Sequence, residues 1–238
     1  MKKVLLMICF IGSVFALRAQ DVQKALNEAI MSSDLSAVKK VVEELKANVN
    51  EPVTEKAAGK QYALHVANML IGPNKLEIIK YLLDQGADVN VENRFGYTPI
   101  FNVASSKDSL DRMKIYNLMI EKVKDIDHVG DGGYSLIGYA AYYNNPKMIQ
   151  DLITRGADVE GRKNNMADTP LMAAANGGYT EIVDMLLNAG ADPKAEKKQA
   201  TKAGTFDLKT AADIAKEKGF TDLADKLKAA KKIKVKKK

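Results

Sequence analysis

The sequence predicts an all-α solenoid of helix-turn-helix units, and three observations carry that prediction. Two short motifs recur in a fixed order: a Thr/Ser-led run ending in alanines, then an amphipathic stripe. Their copies fall 34 to 41 residues apart, a period at which each unit touches only its neighbours. The two ends of the array depart from the pattern, as units facing water on one side should.

The best-preserved copy is Asp168 to Asp192, DTPLMAAANGGYTEIVDMLLNAGAD. Thr169 bonds locally in the first turn, and Pro170 at the first helical position loses no intrahelical bond. The helix over Pro170–Asn176 then carries paired alanines that permit close approach. Gly177 and Gly178 form a turn, and a second helix from Thr180 to Asn188 presents Ile182, Val183, Leu186 and Leu187 as a stripe that needs a neighbour. Gly190 supplies the left-handed cap that ends it.

The remaining copies align to this one. The first-helix motif recurs from Thr98 to Ala104 and, more loosely, from Ser135 to Ala141. Weaker forms run from Tyr62 to Ala67 and from Thr210 to Ala215. Second-helix copies are Leu76–Leu83, Met113–Ile120, Lys147–Ile153, Thr180–Leu187 and Thr221–Leu227. Gly-Ala-Asp closes three units, at Gly86, Gly156 and Gly190. At the N-terminal end Val22–Met31 and Leu35–Leu45 read as two helices ending in Asn48-Val49-Asn50, a degenerate form of the closing motif. At the other end, Phe220–Lys228 is an outer helix, Lys- and Asp-rich on one face.

Thr-Pro-Leu-x-x-Ala-Ala followed by the Ile-Val-x-x-Leu-Leu stripe and Gly-Ala-Asp closely resembles the ankyrin repeat. The resemblance implies an ankyrin-repeat solenoid with β-hairpin-like finger loops, about five repeats plus an N-terminal capping unit. The units fall at about 21–54, 55–92, 93–129, 130–163, 164–204 and 205–228. Surplus residues over the family's period of about 33 sit at Met69–Asn74, Ser105–Arg112 and Pro193–Phe206, the last a Lys/Ala/Gly-rich finger. Each reads as a tolerated surface loop or as part of a binding face.

Residues 1–19 read as a secretory signal peptide, with Lys2 and Lys3 before a thirteen-residue apolar run, Val4–Ala16, and Ala19 near its end. Cleavage after Ala19 or Gln20 is expected, leaving a periplasmic or secreted protein; the two-lysine start and short apolar core suggest a bacterial leader. A retained anchor and a buried first helix are the alternatives. The only cysteine, Cys9, lies in this segment, so the rest of the chain has no disulfide and no thiolate chemistry.

The charge is uneven. Residues 226–238 carry eight lysines and no acid, and residues 1–19 three bases; between them 25 bases face 30 acids. A basic tail over 229–238 on a mildly acidic body can drift to an anionic envelope surface, or simply aid solubility. Nucleic acid is disfavoured as a partner by the acidic body and the expected export.

Catalytic patterns are absent. His65 and His128 lie in different units, and the resemblance implies for His65 a structural bond between adjacent loops. Asp125–Asp131 has the look of a calcium loop, but Val129 and Leu136 stand where oxygen ligands are needed. No phosphate loop, nucleophile elbow or zinc-protease motif occurs. The expectation is therefore no cofactor, no metal and no enzyme, with a carboxylate pair assembled by the fold as the rival.

Ankyrin proteins usually dock partners on the fingers and the exposed side of the first helices. Carried over position by position, that surface comprises Arg94, Phe95, Tyr97, Asp131, Tyr134, Tyr142, Tyr143, Asn165, Met166, Asp168, Asn176, Phe206 and Lys209. Tyr, Phe, Met and Arg are enriched at interface centres, although Tyr142 and Tyr143 read equally as packing between modules. The expected function is protein–protein interaction by a monomer.

Overall fold

A computed structural model describes residues 19–54, 59–106, 111–162, 164–201 and 204–233. Residues 1–18 of the expected signal segment and residues 234–238 of the basic tail lie outside them. Twelve helices and a two-stranded sheet form among the described residues. The chain divides into two compact units: one holds the chain up to Arg94 with Lys114–Lys122, the other Phe95–Met113 with Val123 onward.

In the first unit, α1 (residues 19–31) and α2 (Leu35–Glu43) meet at Asp34, whose carboxylate accepts the Ala37 N–H at 3.0 Å and caps α2. Leu26, Ile30, Val38, Val41 and Val42 are buried. α3 (Ala63–Met69) packs on α4 (Lys75–Asp84), and α4 on α2. Tyr81 donates to Glu43 at 3.0 Å, and its phenol is pushed up to about 12 by burial and by that carboxylate. His65 is fully buried, with the Tyr62 ring 5.8 Å away.

In the second unit the first helices form one row, α5 (Pro99–Ser105), α7 (Leu136–Tyr142), α9 (Pro170–Gly177) and α11 (Ala211–Glu217), each packed on the next. α8 (Pro146–Thr154), α10 (Thr180–Asn188) and α12 (Thr221–Ala229) back α7, α9 and α11. α6 (Arg112–Ile120) begins in this unit and continues in the first. The alanines explain the close row, since Ala140, Ala141, Ala173, Ala174, Ala175, Ala211, Ala212 and Ala215 are all buried. Ile182, Val183 and Leu186 of α10 are fully buried, each contributing about 1.5–3 kcal/mol.

Among the Thr- and Ser-led first helices the caps follow the motif with one departure. Thr169 accepts from Met172 N–H at 3.2 Å, Ser135 from Gly138 N–H at 3.4 Å, and Thr210 and Asp213 form a reciprocal capping box. Thr98 makes no such side-chain bond.

The closing motif does more than end a helix. Its Asx side chain folds back on the N–H two residues on: Asn48 on Asn50, Asp88 on Asn90, Asp125 on Asp127, Asp158 on Glu160 and Asp192 on Lys194, at 2.9–3.0 Å. That next residue then reaches the following copy. Asn50 accepts Asp88 N–H at 2.7 Å within the first unit; Asp127 accepts Asp158 N–H at 2.8 Å and Glu160 accepts Asp192 N–H within the second. Asp125 and Asp127 are thus occupied by backbone, which disposes of the calcium-loop look. In the degenerate N-terminal copy Lys46 takes the left-handed position (φ 61) that Gly86, Gly156 and Gly190 fill elsewhere.

The finger after Pro193 is a true hairpin. β1 (Lys197–Ala200) pairs antiparallel with β2 (Phe206–Lys209), Lys197 opposite Lys209 and Ala200 opposite Phe206.

Candidate functional site

Seven rings of the second unit form one connected run. Tyr97 and Phe101 sit 4.9 Å apart, and both lie 5.4 Å from Tyr139. Tyr139 touches Tyr143 at 5.0 Å and Tyr134 at 6.4 Å; Tyr142 closes the group at 6.0 Å from Tyr134 and 5.1 Å from Tyr143. His128 stands edge-on to Phe101 at 6.2 Å, its Nε2 2.6 Å from the Gly96 carbonyl. Offset and edge-to-face pairs of this kind add about 0.5–1.5 kcal/mol each beyond area burial.

Burial is graded along the run. Phe101 is 2 % exposed, Tyr97, Tyr134 and Tyr139 are half-buried, and Tyr142 and Tyr143 are 44 % and 40 % exposed. The inner rings anchor, and the outer two present apolar faces to solvent.

Local sequence makes the geometry. Tyr139, Tyr142 and Tyr143 share one side of α7 through i, i+3 and i+4 spacing, as do Tyr97 and Phe101 around the start of α5. The Gly130-Asp131-Gly132-Gly133 loop admits the Tyr97 ring: a Cβ on Gly130 would lie 2.1 Å from it, and one on Gly132 2.2 Å from its hydroxyl. Backbone N–H of Gly132 also donates to that hydroxyl. Burial raises the Tyr97, Tyr134 and Tyr139 phenols, reinforced at Tyr134 by Asp168 and at Tyr139 by a bond with Tyr143. All three stay neutral hydrogen-bonding groups at physiological pH.

The sequence-predicted residues divide into groups. Tyr97, Tyr134, Tyr142 and Tyr143 belong to the run, with Phe95 beside it, 48 % exposed, its carbonyl accepting Asp131 N–H at 2.8 Å. Asp131 is exposed. Asp168 is a junction: Tyr134 donates to it at 3.0 Å, and Lys197 Nζ lies 2.5 Å away. Met166, 56 % exposed, Asn165 and Phe206 gather at the hairpin, where the Asn165 carbonyl accepts Lys198 N–H at 2.6 Å. Lys209 pairs with Glu217, and Asn176 is half-buried at the end of α9. Arg94 belongs to the first unit, where its N–H donates to the Lys60 carbonyl and its side chain covers Gly59.

Phe101, His128 and Tyr139 were not among the predicted site residues, and Tyr139 is the hub. The signal was present as aromatic spacing of three and four within α7, but the position reads as framework when aligned to Ala173.

Among the described residues no group of three His, Cys, Asp or Glu side chains could hold a metal, and no helix is long and apolar enough to cross a membrane. At the root of the basic tail Lys232 lies 3.2 Å from Asp192. The Lys194 N–H bond, and after it the Lys232 contact, hold the Asp192 carboxyl below its usual range, whereas burial pushes Glu160 up.

Comparison with known proteins gives the family. The family model for ankyrin repeats matches three overlapping stretches, residues 64–163, 101–197 and 137–237. The chain is 30% identical over 106 residues to an ankyrin repeat protein of Variola virus, covering 44% of this chain and 18% of that one. It is 30% identical over 173 residues to the nuclear factor NF-kappa-B p105 subunit of Gallus gallus, 71% of this chain and 16% of that protein. A human transient receptor potential cation channel, subfamily A member 1, matches at 28% over 127 residues, 53% of this chain and 11% of the channel. The chain thus spans less than a fifth of the length of these relatives. Ankyrin repeats generally mediate protein–protein interaction without catalysis of their own. Matched by that model over most of its length and built from the caps and closing turns just described, this chain belongs to the ankyrin-repeat family.

Proposed function

We propose that the protein is an exported, non-catalytic scaffold that binds another protein through the aromatic face of its second unit. The observation that carries this is the graded ring run. Tyr142 and Tyr143 stand exposed on α7 and are backed by buried partners, which gives rigid, large apolar contacts at low entropic cost. Phe95 and Asp131 extend the face towards the fingers. Export rests on the Lys2-Lys3 start and the apolar run before Ala19.

The test is capture of partners from an envelope or secreted fraction by the wild-type chain and by the double variant Tyr142→Ala with Phe95→Ala. Partner capture is expected to disappear while the Tm changes little, because both side chains are well exposed. Retained capture, or an unfolded variant, would show that these rings do not form the recognition face. Detection of the chain in a periplasmic or culture fraction with its N-terminus at Gln20 or Asp21 checks the export reading.

A further inference from the structure

The hairpin of the second unit carries a separate feature, an open strand edge. Lys198 directs its N–H away from β2, to Asn165, and Thr201 N–H bonds Thr205 carbonyl at 2.9 Å across the turn. In an antiparallel ladder the bonded pairs alternate, so Lys197–Lys209 and Gln199–Asp207 are the bonded pairs of this hairpin. Leu208 and Phe206 therefore turn their N–H and C=O outward, and among the described residues nothing meets them. β1 is covered on its far side by Asn165; β2 is the free edge.

The faces of this ribbon differ. Lys197 and Lys209 lie on one side and tie it to the body through Asp168 and Glu217. Phe206 and Leu208 lie on the opposite side and are 56 % and 55 % exposed. An edge with open backbone groups and alternating apolar side chains is a template for one more strand.

We infer that this edge pairs with the same edge of a second copy, antiparallel and centred on Leu208. That register makes Leu208 and its counterpart a hydrogen-bonded pair exchanging two backbone bonds. It also sets Asp207 opposite the second copy's Lys209 in the close, non-bonded pair, twice by symmetry. The neighbouring register, centred on Asp207, would oppose two like carboxylates in the close pair. Charge thus selects both the register and the occupant: a second copy supplies the Lys/Asp alternation by construction. The contact is small, so the dimer is weak and reversible. It departs from the monomer expected from sequence and is independent of the aromatic face.

Sedimentation of the full chain from micromolar to millimolar concentration should show a monomer–dimer equilibrium, with the Leu208 amide gaining protection from hydrogen exchange as dimer forms. Leu208→Pro removes the outward N–H and the exposed leucine but no ladder bond of the hairpin itself, so it should abolish dimer while leaving the circular dichroism and Tm near wild type. Asp207→Lys, which sets like charges opposite each other twice across the contact and leaves the Lys209–Glu217 tie in place, should weaken dimerisation about tenfold. A monomer at every concentration overturns the inference, as does a dimer indifferent to Leu208→Pro. A foreign extended peptide that protects the same amide while the chain stays monomeric would also overturn it.

Discussion

The units led by Thr169 and Ser135 share a backbone plan and use it in opposite ways. α9 places Ala173, Asn176 and Gly177 where α7 places Tyr139, Tyr142 and Tyr143. In α9 small residues are enforced: a Cβ on Gly177 would lie 2.2 Å from the Tyr179 ring, and Ala173 is 1 % exposed. In α7 the same positions open onto a space that other rings fill. Gly178 takes the left-handed turn after α9 with φ 69; Asn144 takes it after α7 with φ 55, at some conformational cost. Asn145 then secures the α7 turn, donating to the Ala104 carbonyl at 2.6 Å and accepting from Arg112. The frame tolerates an aromatic site only where neighbouring sequence hollows out room and supplies anchors.

The strongest way to break that contrast is to exchange the two chemistries. Ala173→Tyr places a ring where none fits and is expected to cost about 3 kcal/mol by overpacking, measured by chemical denaturation. The reverse change, Tyr139→Ala, removes the hub of the ring run. It should cost about 2 kcal/mol, less than a fully buried aromatic because Tyr139 is half-exposed, and should weaken partner capture through the loosened Tyr143. If Ala173→Tyr proved the milder of the two, the small-residue packing of α9 would not be the constraint claimed for it. Gly130→Ala is expected to fall between that loss and a neutral change, about 1–2 kcal/mol, since the methyl must displace the Tyr97 ring.

The frame was legible because its rules are local. Thr169, Pro170 and the Gly190-Ala191-Asp192 turn each act within four residues, so spacing alone exposes them. The Asx side chains of the closing turns could be read the same way, but their continuation to the next copy, Asp127 to Asp158 and Glu160 to Asp192, links residues about thirty apart and leaves no periodic mark of its own. The ring run was half legible. Exposed Tyr142 and Tyr143 stand out because the pattern does not need them. Tyr139 and Phe101 hide in motif positions, and whether a ring there is core or site depends on Gly130 and Gly132 in a loop that alignment treats as filler. Asp168 shows the converse. It looked like a finger-tip contact, and the fold engages its carboxylate with Tyr134 and Lys197.

The smallest effect expected is also the most selective for the ring run. Tyr97, Tyr134 and Tyr139 all have phenols raised above 10.0 in the folded state, chiefly by burial. A group whose folded value lies above its unfolded value contributes stability fully present below the unfolded value and lost as pH rises through the folded one. Denaturation midpoints should therefore hold up to about pH 10 and decline above it. Tyrosinate absorbance lost on Tyr→Phe replacement of Tyr97, Tyr134 or Tyr139 should belong to the alkaline end of the titration, above the ordinary phenol range. Tyr143→Phe removes the hydroxyl that bonds Tyr139, so it should bring the Tyr139 ionisation down slightly without opening the cluster. Ionisation of Tyr97, Tyr134 and Tyr139 at the ordinary phenol value would mean that the inner rings are solvated, and with them the backing that makes α7 differ from α9.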